Sequence, residues 1–517
     1  MQSSRKEIRP MRRQTLLLTL TLALAAGALA ADVQSLLEMT PAEAIAVFAT
    51  QDIRPVVARA LSIAKSGLLP DVPPKALALL AAAQETMGHV AGPFVAVHGD
   101  GWVMAMLAIK ADEKSFRDFL DNHFAPLNAA PQAGPGAFTL TVFGFQGFCA
   151  LRDGVLLAAS DAPALKSLLA AKPQPNAFSR FYERHKTRLA AQNGIAVILG
   201  EGIEPDLPRE LRKGKPQRKV LEAILGRDPW PAALALSWTR DWERLQLIVD
   251  MPQANPLLPV FAGAGGPALA PGQAPAAAHA VAAGRAPDIN VYAAALEHVM
   301  ASVDPRFRDE FRQELAEFNK VGGVDIIADL SASLTGDWRL SIGPDRAGQT
   351  SVLVSAGLKD NGARLLKALE VWAKRDKLPW RETNGIIQTR LGGRDIFMRA
   401  SDGRLEASER ESGLGQTLGG LNFADAAALM AEDASAGLLV YASLRDMAFA
   451  DWFAGKVHPV ATAALSQLKS AALAARAENG ALVARLDIRP GLDRVWLPLA
   501  AALRPALDRA RQEAKLA

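Results

Sequence analysis

The sequence contains a single cysteine, Cys149, among its 517 residues. The chain therefore cannot form an internal disulfide, and its stability must come from packed cores. The residues around this cysteine, FGFQGFCAL, are apolar and aromatic. That environment favours a buried, inert thiol over a catalytic one.

The sequence also lacks the patterns that bind metals or nucleotides. Its seven histidines are dispersed, and none occurs in H-x-x-x-H or H-E-x-x-H. The glycine-rich stretch 263–272, GAGGPALAPG, has no Lys-Ser/Thr pair and follows no clear strand, so it does not match a phosphate-binding loop. We therefore expect no metal site and no cofactor.

Charge of one sign does not dominate, since 58 basic residues face 54 acidic ones and the net charge is +4. The basic run 209–219 has no aromatic residues interleaved for base stacking, so nucleic acid is not an expected partner. The run could touch an anionic surface, or it could be a solvated loop. The residues concerned are Arg212, Lys213, Lys215, Arg218 and Lys219.

One long apolar stretch is present, and it lies at the N-terminus. Five basic residues precede TLLLTLTLALAAGALA, and Ala28 and Ala30 supply the small residues of a cleavage site. This pattern predicts a signal peptide over residues 1–30, cleaved after Ala30, and an exported, periplasmic protein. An uncleaved N-terminal anchor is the alternative, although the stretch is short for a membrane span.

The order of predicted elements occurs twice along the chain. A strand pair followed by an amphipathic helix begins at Gly92 and again at Gly336, and each is followed by hairpins, a spacer and a final strand. An amphipathic helix is predicted before each sheet, as in IRPVVARALSIAKSGL. Chance similarity in the order of elements is the alternative explanation.

This order predicts an α+β protein of two tandem duplicated domains, each a mainly antiparallel sheet with amphipathic helices packed on it. The first repeat is assigned to residues 31–252 and the second to residues 285–490. A Pro/Gly/Ala-rich linker joins them over 253–284. A helix is predicted over 491–517, docked on the second domain or touching a membrane peripherally.

Two short motifs carry a resemblance to a known family. The second repeat contains LTGDW, from Leu334 to Trp338, and the first contains an Asp-Gly hairpin ending in ASD, from Asp153 to Asp161. In these features the chain resembles a family of bacterial exported proteins of unknown function with two tandem α+β repeats. The resemblance implies a location in the cell envelope. The first repeat departs from the pattern, with HVAGPFVAV where the second has LTGDWRLSI.

Ser160 could be a nucleophile or part of a helix cap. It lacks the G-x-S-x-G setting of a nucleophile elbow, and Asp161 and Pro163 are typical of a helix start. Ser408 occupies the comparable place in the second repeat, which favours an architectural role. We therefore name no catalytic residue.

The sequence favours a non-enzymatic binding or scaffold protein of the periplasm or cell envelope. Its partner would be an envelope protein or an apolar or lipid ligand, bound in a groove or on flanking helices. The alternative is a periplasmic hydrolase with scattered catalytic residues.

Overall fold

The computed structural model contains both helices and strands, and every pairing whose register is defined is antiparallel. The mixed α+β class with an antiparallel sheet is therefore confirmed. The described residues are 32–65, 92–109, 113–123, 127–142, 145–191, 193–200, 219, 222, 232–239, 241–251, 255–262, 278–286, 288–322, 325–360, 362–416, 436–443 and 468–491.

The chain divides into two compact units. The first comprises Met1–Ile203, Pro229–Leu245 and Gly491–Ala517, and the second comprises Glu204–Asp228 and Gln246–Pro490. The predicted signal peptide over residues 1–30 lies outside the described residues, as does the predicted C-terminal helix apart from Gly491.

The described part of the first unit contains ten strands, of which the last extends beyond the boundary of the unit. Their order across the sheet is β4-β5-β6-β7-β3-β2-β1-β8-β9-β10. The strands are β1 Ala46–Thr50, β2 Phe94–His98, β3 Val103–Ala108, β4 Asn128–Ala129, β5 Phe138–Val142, β6 Phe145–Arg152, β7 Val155–Ala159, β8 Gly194–Leu199, β9 Ala232–Trp238 and β10 Glu243–Asp250.

Two helices, α2 and α3, pack on one face of this sheet, and alternate residues such as Val97, Met106 and Leu157 are buried on the other face. Helix α2 buries Ile53, Val57 and Leu61, spaced four residues apart, against the strands and against Phe116 of α3. Burial of each such side chain stabilises the fold by about 2 kcal/mol. The helices are α1 Val33–Glu38, α2 Ile53–Lys65, α3 Glu113–His123, α4 Ala162–Ala170 and α5 Ala177–Leu189, with a 3₁₀ turn at Pro131–Ala133.

The described part of the second unit contains ten further strands, in the order β14-β15-β16-β17-β13-β12-β11-β18-β19-β20. They are β11 Ala280–Arg285, β12 Leu334–Pro344, β13 Thr350–Leu358, β14 Trp380–Thr383, β15 Ile386–Leu391, β16 Arg394–Ser401, β17 Arg404–Ser408, β18 Leu438–Ala442, β19 Ser470–Glu478 and β20 Ala481–Arg489.

Among the described helices of the second unit, one precedes β11, three lie between β11 and β12, and one follows β13. Two of them, α9 and α10, pack Leu330 and Leu365 against Leu334 and Leu358 of the sheet. The helices are α6 Leu258–Phe261, α7 Asn290–Val303, α8 Pro305–Gly322, α9 Ile326–Ser333 and α10 Ala363–Arg375, with a 3₁₀ turn at Glu411–Gly413.

The strand order is the same in the two described sets of strands. Strand β11 of the second unit takes the place of β1 in the first, β12 takes the place of β2, and so on to β20 and β10. The registers also correspond. Leu107 pairs with Leu156 in the first unit and Ala356 pairs with Leu405 in the second, and one shift in residue number carries the first pair onto the second. The β5–β6 and β6–β7 ladders obey the same shift.

The predicted hairpin turns are present. Asp153 and Asp402 both have φ of 52°, and the glycines that follow them, Gly154 and Gly403, have φ of 73° and 69°. Two consecutive residues with positive φ make the turn whose twist matches the flanking strands.

The predicted linker over 253–284 was wrong at its end. Strand β11 begins at Ala280 and lies between β12 and β18, and helix α6 also falls inside the predicted segment. Gly284 of this strand leaves room for the indole of Trp338, since a Cβ there would come within 2.3 Å of the ring nitrogen. A composition typical of linkers therefore marked a crowded strand.

The predicted position of the first helix was also wrong. Helix α2 follows β1 instead of preceding the sheet, and β1 pairs with both β2 and β8. No strand was predicted at β1, because its five residues AVFAT form a short apolar run without alternation of apolar and polar residues.

Candidate apolar binding face

Ser160 serves the sheet and the helix that follows it. Its hydroxyl oxygen accepts a hydrogen bond from the Val103 N–H at 3.1 Å and donates one to the Asp161 carboxylate at 3.1 Å. Asp161 in turn caps α4 by accepting from the Ala164 N–H at 2.8 Å. The helix cap predicted at this site is therefore confirmed, and Asp161 forms it.

Ser408 ends β17 in the second unit and is buried. Its hydroxyl oxygen accepts from the Arg410 N–H at 3.3 Å. The next described element is the 3₁₀ turn Glu411–Gly413, so the strand end is shared with Ser160 but the α-helix after it is not.

Cys149 lies in β6, opposite Phe138 and Ala158 of the neighbouring strands. It is fully buried, and this burial raises the pKa of the thiol to about 12. The predicted burial of the thiol is confirmed, and the raised pKa disfavours the thiolate that nucleophilic chemistry needs.

Of the basic run proposed to touch an anionic surface, only Lys219 is described. Its ammonium group donates to the carbonyl oxygen of Val303 at 3.0 Å, at the C-terminal end of α7. A cation at this end complements the helix dipole. Arg212, Lys213, Lys215 and Arg218 lie outside the described residues, and the surface contact stays a prediction.

The described residues contain no group of three side chains arranged to hold a metal ion. Within the same part of the chain, no helix combines the length and the apolar character needed to cross a membrane.

The LTGDW motif forms an irregularity in β12, where the pairing with β13 shifts between Leu334 and Trp338. Gly336 allows it, with φ of 88° and the Ala286 carbonyl oxygen 2.6 Å from where a Cβ would lie. The indole N–H of Trp338 donates to the Tyr292 hydroxyl at 3.1 Å. The motif therefore joins β12 to α7.

Asp337 of the same motif pairs with Arg404, which follows the Asp402–Gly403 turn. One guanidinium nitrogen of Arg404 donates to the carboxylate at 2.8 Å, and others donate to the Ser355 hydroxyl at 3.2 and 3.3 Å. The Thr335 hydroxyl also donates to Asp337. The LTGDW motif thus contacts the strand that follows the Asp402–Gly403 turn, the second unit's counterpart of the Asp153–Gly154 turn.

The protonation of this cluster is fixed at neutral pH. Burial raises the pKa of Asp337, but hydrogen bonds from Thr335 and Arg404 and the charge of Arg404 lower it more, so it lies below the ordinary 3.8. Burial and the charge of Arg404 lower the pKa of Arg339 to about 10, which leaves it charged at pH 7. These groups form a structural ion network.

The face of the second unit's sheet that lies opposite the ion network carries apolar side chains on successive strands. Directly paired residues lie on the same face of an antiparallel sheet, so the registers define a row of side chains across eight strands. We name it the first row: Met398, Ala407, Val354, Leu340, Ala282, Val440, Leu473 and Leu486.

A parallel line of apolar side chains lies two residues further along each strand. We name this the second row: Val352, Ile342, Ala280, Ala442, Ala471 and Ile488. Ala280 in this row is buried, with 9% exposure, and the other five members are partly exposed.

The first row is exposed at two of its members, and the members between them are partly buried. Val354 is 41% exposed and Leu473 is 37% exposed, although each lies on a strand paired on both sides. On the same face, the side of the first row away from the second row is covered by helices. There Ala356 packs with α9 and α10, and Ala475 packs with α6 and α7. In the part of the chain that the structure describes, the helices thus border a partly exposed apolar strip, which is our candidate binding face.

The corresponding row of the first unit is covered over half its length. Ala105 and Ala158 are buried in the core beneath α2 and α3, whereas Leu234 on β9 is 46% exposed. Leu234 pairs with Val197 as Leu473 pairs with Val440. An exposed leucine therefore recurs at the same register position in both units.

A separate recess of about 420 Å³ lies between α5 and β8 in the first unit. Phe178, Phe181 and Ile198 give it an apolar floor, and Arg180 and Arg184 lie at its rim. Its volume is at the small end for ligand cavities.

Sequence reasoning missed the candidate binding face because its members are dispersed over eight strands. The signal available was alternation within single strands, for example Leu473 and Ala475 in SAALAARAE. Alternation identifies an apolar face but does not reveal whether a helix covers it.

Comparisons with known proteins add little to this geometry. No protein-family model matches the chain, and no curated protein matches it. Two solved structures, crystal forms III and I of TP0453, share 10% identity with it and have TM-scores of 0.27 and 0.26. Each match covers 44% of this chain and 82% or 81% of the other. Likeness at this level identifies no relative.

Proposed function

We propose that the protein is an exported, non-enzymatic binding protein of the cell envelope, made of two copies of one α+β domain, that holds an apolar ligand on the second unit's open sheet face. The observation that carries the proposal is the partly exposed apolar strip formed by the first and second rows. Exposed apolar area of this kind is unfavourable in water unless a partner covers it.

The duplication is supported by the strand order and by the registers. Ten strands recur in the same spatial order, and three ladders obey one shift in residue number. Chance similarity between unrelated sheets would not be expected to preserve both.

A binding role also agrees with how the polar groups are used. Ser160 is held between a backbone N–H and a carboxylate, and Asp337 and Arg404 neutralise each other. Each is thus engaged in holding the fold, which weighs against a hydrolase built on them.

Export rests on the N-terminal sequence pattern alone. If residues 1–30 are a signal peptide, the protein recovered from the periplasm has Ala31 as its first residue, and intact mass spectrometry measures this. Recovery of the full-length chain in the membrane fraction would instead support an N-terminal anchor.

Binding is tested with the uncharged apolar dye N-phenyl-1-naphthylamine and the full chain. We expect dye fluorescence to increase to saturation. Val354→Gln and Leu473→Gln should each lower the affinity for the dye about tenfold, since each removes the burial of one apolar side chain. Leu296→Gln is the matched control, because Leu296 is 49% exposed on α7 and lies off the sheet. Equal binding by all variants would contradict the proposal.

A further inference from the structure

We infer that the ligand of the open face is a single-chain amphiphile with an anionic head group, whose head pairs with Lys469 and whose chain lies between the first and second rows. The inference rests on the proposed function and names the ligand class of that same site. It follows from the span of the strip, its width and the position of its charges.

The strip is long and narrow. From Val354 to Leu473 the first row crosses four gaps between strands, which is about 19 Å at the usual strand spacing. An extended acyl chain of ordinary membrane-lipid length covers this distance. The two rows are about 7 Å apart along the strands, which leaves room for one such chain between them.

The middle of the strip is shallow enough for a chain to lie flat. Ala282 and Ala280 are the members contributed by the central strand β11, and their short side chains rise least from the sheet. Larger side chains, Leu340 and Val440, flank the first row's alanine on β12 and β18. The strip is therefore lowest at β11, midway along the path of the chain.

The charge that fits a head group lies at one end. Lys469 precedes β19, two residues before Ala471, so it continues the same face of the strand about 7 Å beyond the second row. Its side chain is exposed, and its backbone N–H bonds the Arg489 carbonyl at 2.7 Å, which holds it in line with the strand. A carboxylate or phosphate held there would gain a charge-assisted hydrogen bond.

At the opposite end of the strip, the charges that the structure describes on this face are paired. Glu409 follows β17 on this face and lies 3.6 Å from the guanidinium group of Arg394. The two charges there compensate each other, so the head group is expected at Lys469. The chain would then run from β19 towards β13.

The first unit does not offer the same strip. Ala105, which occupies the position of Val354, is 5% exposed and belongs to the core under α2. One chain per protein is therefore expected, bound to the second unit.

The experiment measures binding of anthroyloxy-labelled palmitate and of its methyl ester to the full chain. We expect Lys469→Gln to weaken acid binding about tenfold and to leave ester binding unchanged, and Lys469→Arg to preserve both. Lys320→Gln, at the exposed end of α8, is the control and should change neither affinity.

The outcomes separate this inference from the proposed function. If acid and ester bind equally and Lys469→Gln changes neither affinity, the anionic head group is overturned while apolar binding stands. If neither probe binds and the naphthylamine dye does not bind either, both proposals fail.

Discussion

At the scale of residues, the Arg404–Asp337 ion pair is one difference between the two units. The register places Val155 at the position of Arg404, and the corresponding place for Asp337 is Pro93 in AGPF. The acid and the base are both absent from the first unit. Loss of one partner alone would leave a half-buried charge uncompensated.

The Asp337 ion pair should stabilise the protein in a pH-dependent way. Its pKa in the fold lies below the ordinary 3.8, so its contribution is present above the unfolded pKa and is lost as the pH falls through the folded one. We expect Asp337→Asn to cost about 2 kcal/mol at pH 7. Urea unfolding at pH 7 and below pH 3 should show this cost shrinking in acid.

A suitable control for that measurement is Asp395→Asn, because the Asp395–Arg390 pair is exposed at the surface. Exposed pairs contribute little, so its cost should be near zero at either pH. A cost for Asp337→Asn that persists unchanged at low pH would argue against the ion pair as its cause.

Glu243 provides a second test at this scale. Its carboxylate is buried against Arg59, whose guanidinium lies 4.6 Å from the centre of the Trp238 ring. Arg59→Met should cost about 3 kcal/mol, because it leaves a buried carboxylate without its partner. The double variant Arg59→Met/Glu243→Leu should recover most of this in urea unfolding, whereas failure to recover would indicate that packing of Arg59 matters more than charge.

At the scale of elements, the irregularity in β12 depends on Gly336. An alanine there would have positive φ and would also meet the Ala286 carbonyl oxygen at 2.6 Å. We expect Gly336→Ala to cost about 3 kcal/mol in thermal unfolding. Gly348→Ala isolates the backbone effect, because φ is 75° and nothing lies within 4 Å, so its cost should be about 1 kcal/mol.

Equal costs for these two variants would mean that the carbonyl contact is relieved without strain. In that case the irregularity in β12 would not require glycine for steric reasons.

The elements also show what the sequence could predict. Asp-Gly turns and alternating strands such as β6 and β7 have local signals, and their pairing was predicted correctly. Strands β1 and β11 were missed because one is short and the other is rich in alanine and glycine. Their strand character comes from neighbours on both sides, and no local pattern records that.

The candidate binding face was beyond prediction for a related reason. Its openness depends on where α7, α9 and α10 come to rest on the sheet. Helix placement is decided by packing between elements distant in sequence. Val354 and Leu473 lie in strands whose sequence pattern does not differ from that of strands with a covered face, so the pattern does not show that these two side chains are exposed.

At the scale of the whole molecule, the two units should respond alike to matched changes. Asp153 and Asp402 share a φ of 52° at the first position of equivalent turns. Asp153→Ala and Asp402→Ala should each cost about 1 kcal/mol, measured by hydrogen exchange in the flanking hairpins. A difference of several-fold between the two costs would contradict equivalent turns.

The lone thiol has a practical consequence for the intact protein. Cys149 lies in the core of the first unit with its pKa raised to about 12, so a thiol reagent can reach it only when that core opens. The labelling rate of Cys149 in the natural chain therefore measures how often the first unit opens, without any engineered probe. In the second unit, Met398 occupies the position that corresponds to Cys149. The labelling signal therefore comes from the first unit alone and measures the opening rate of that unit.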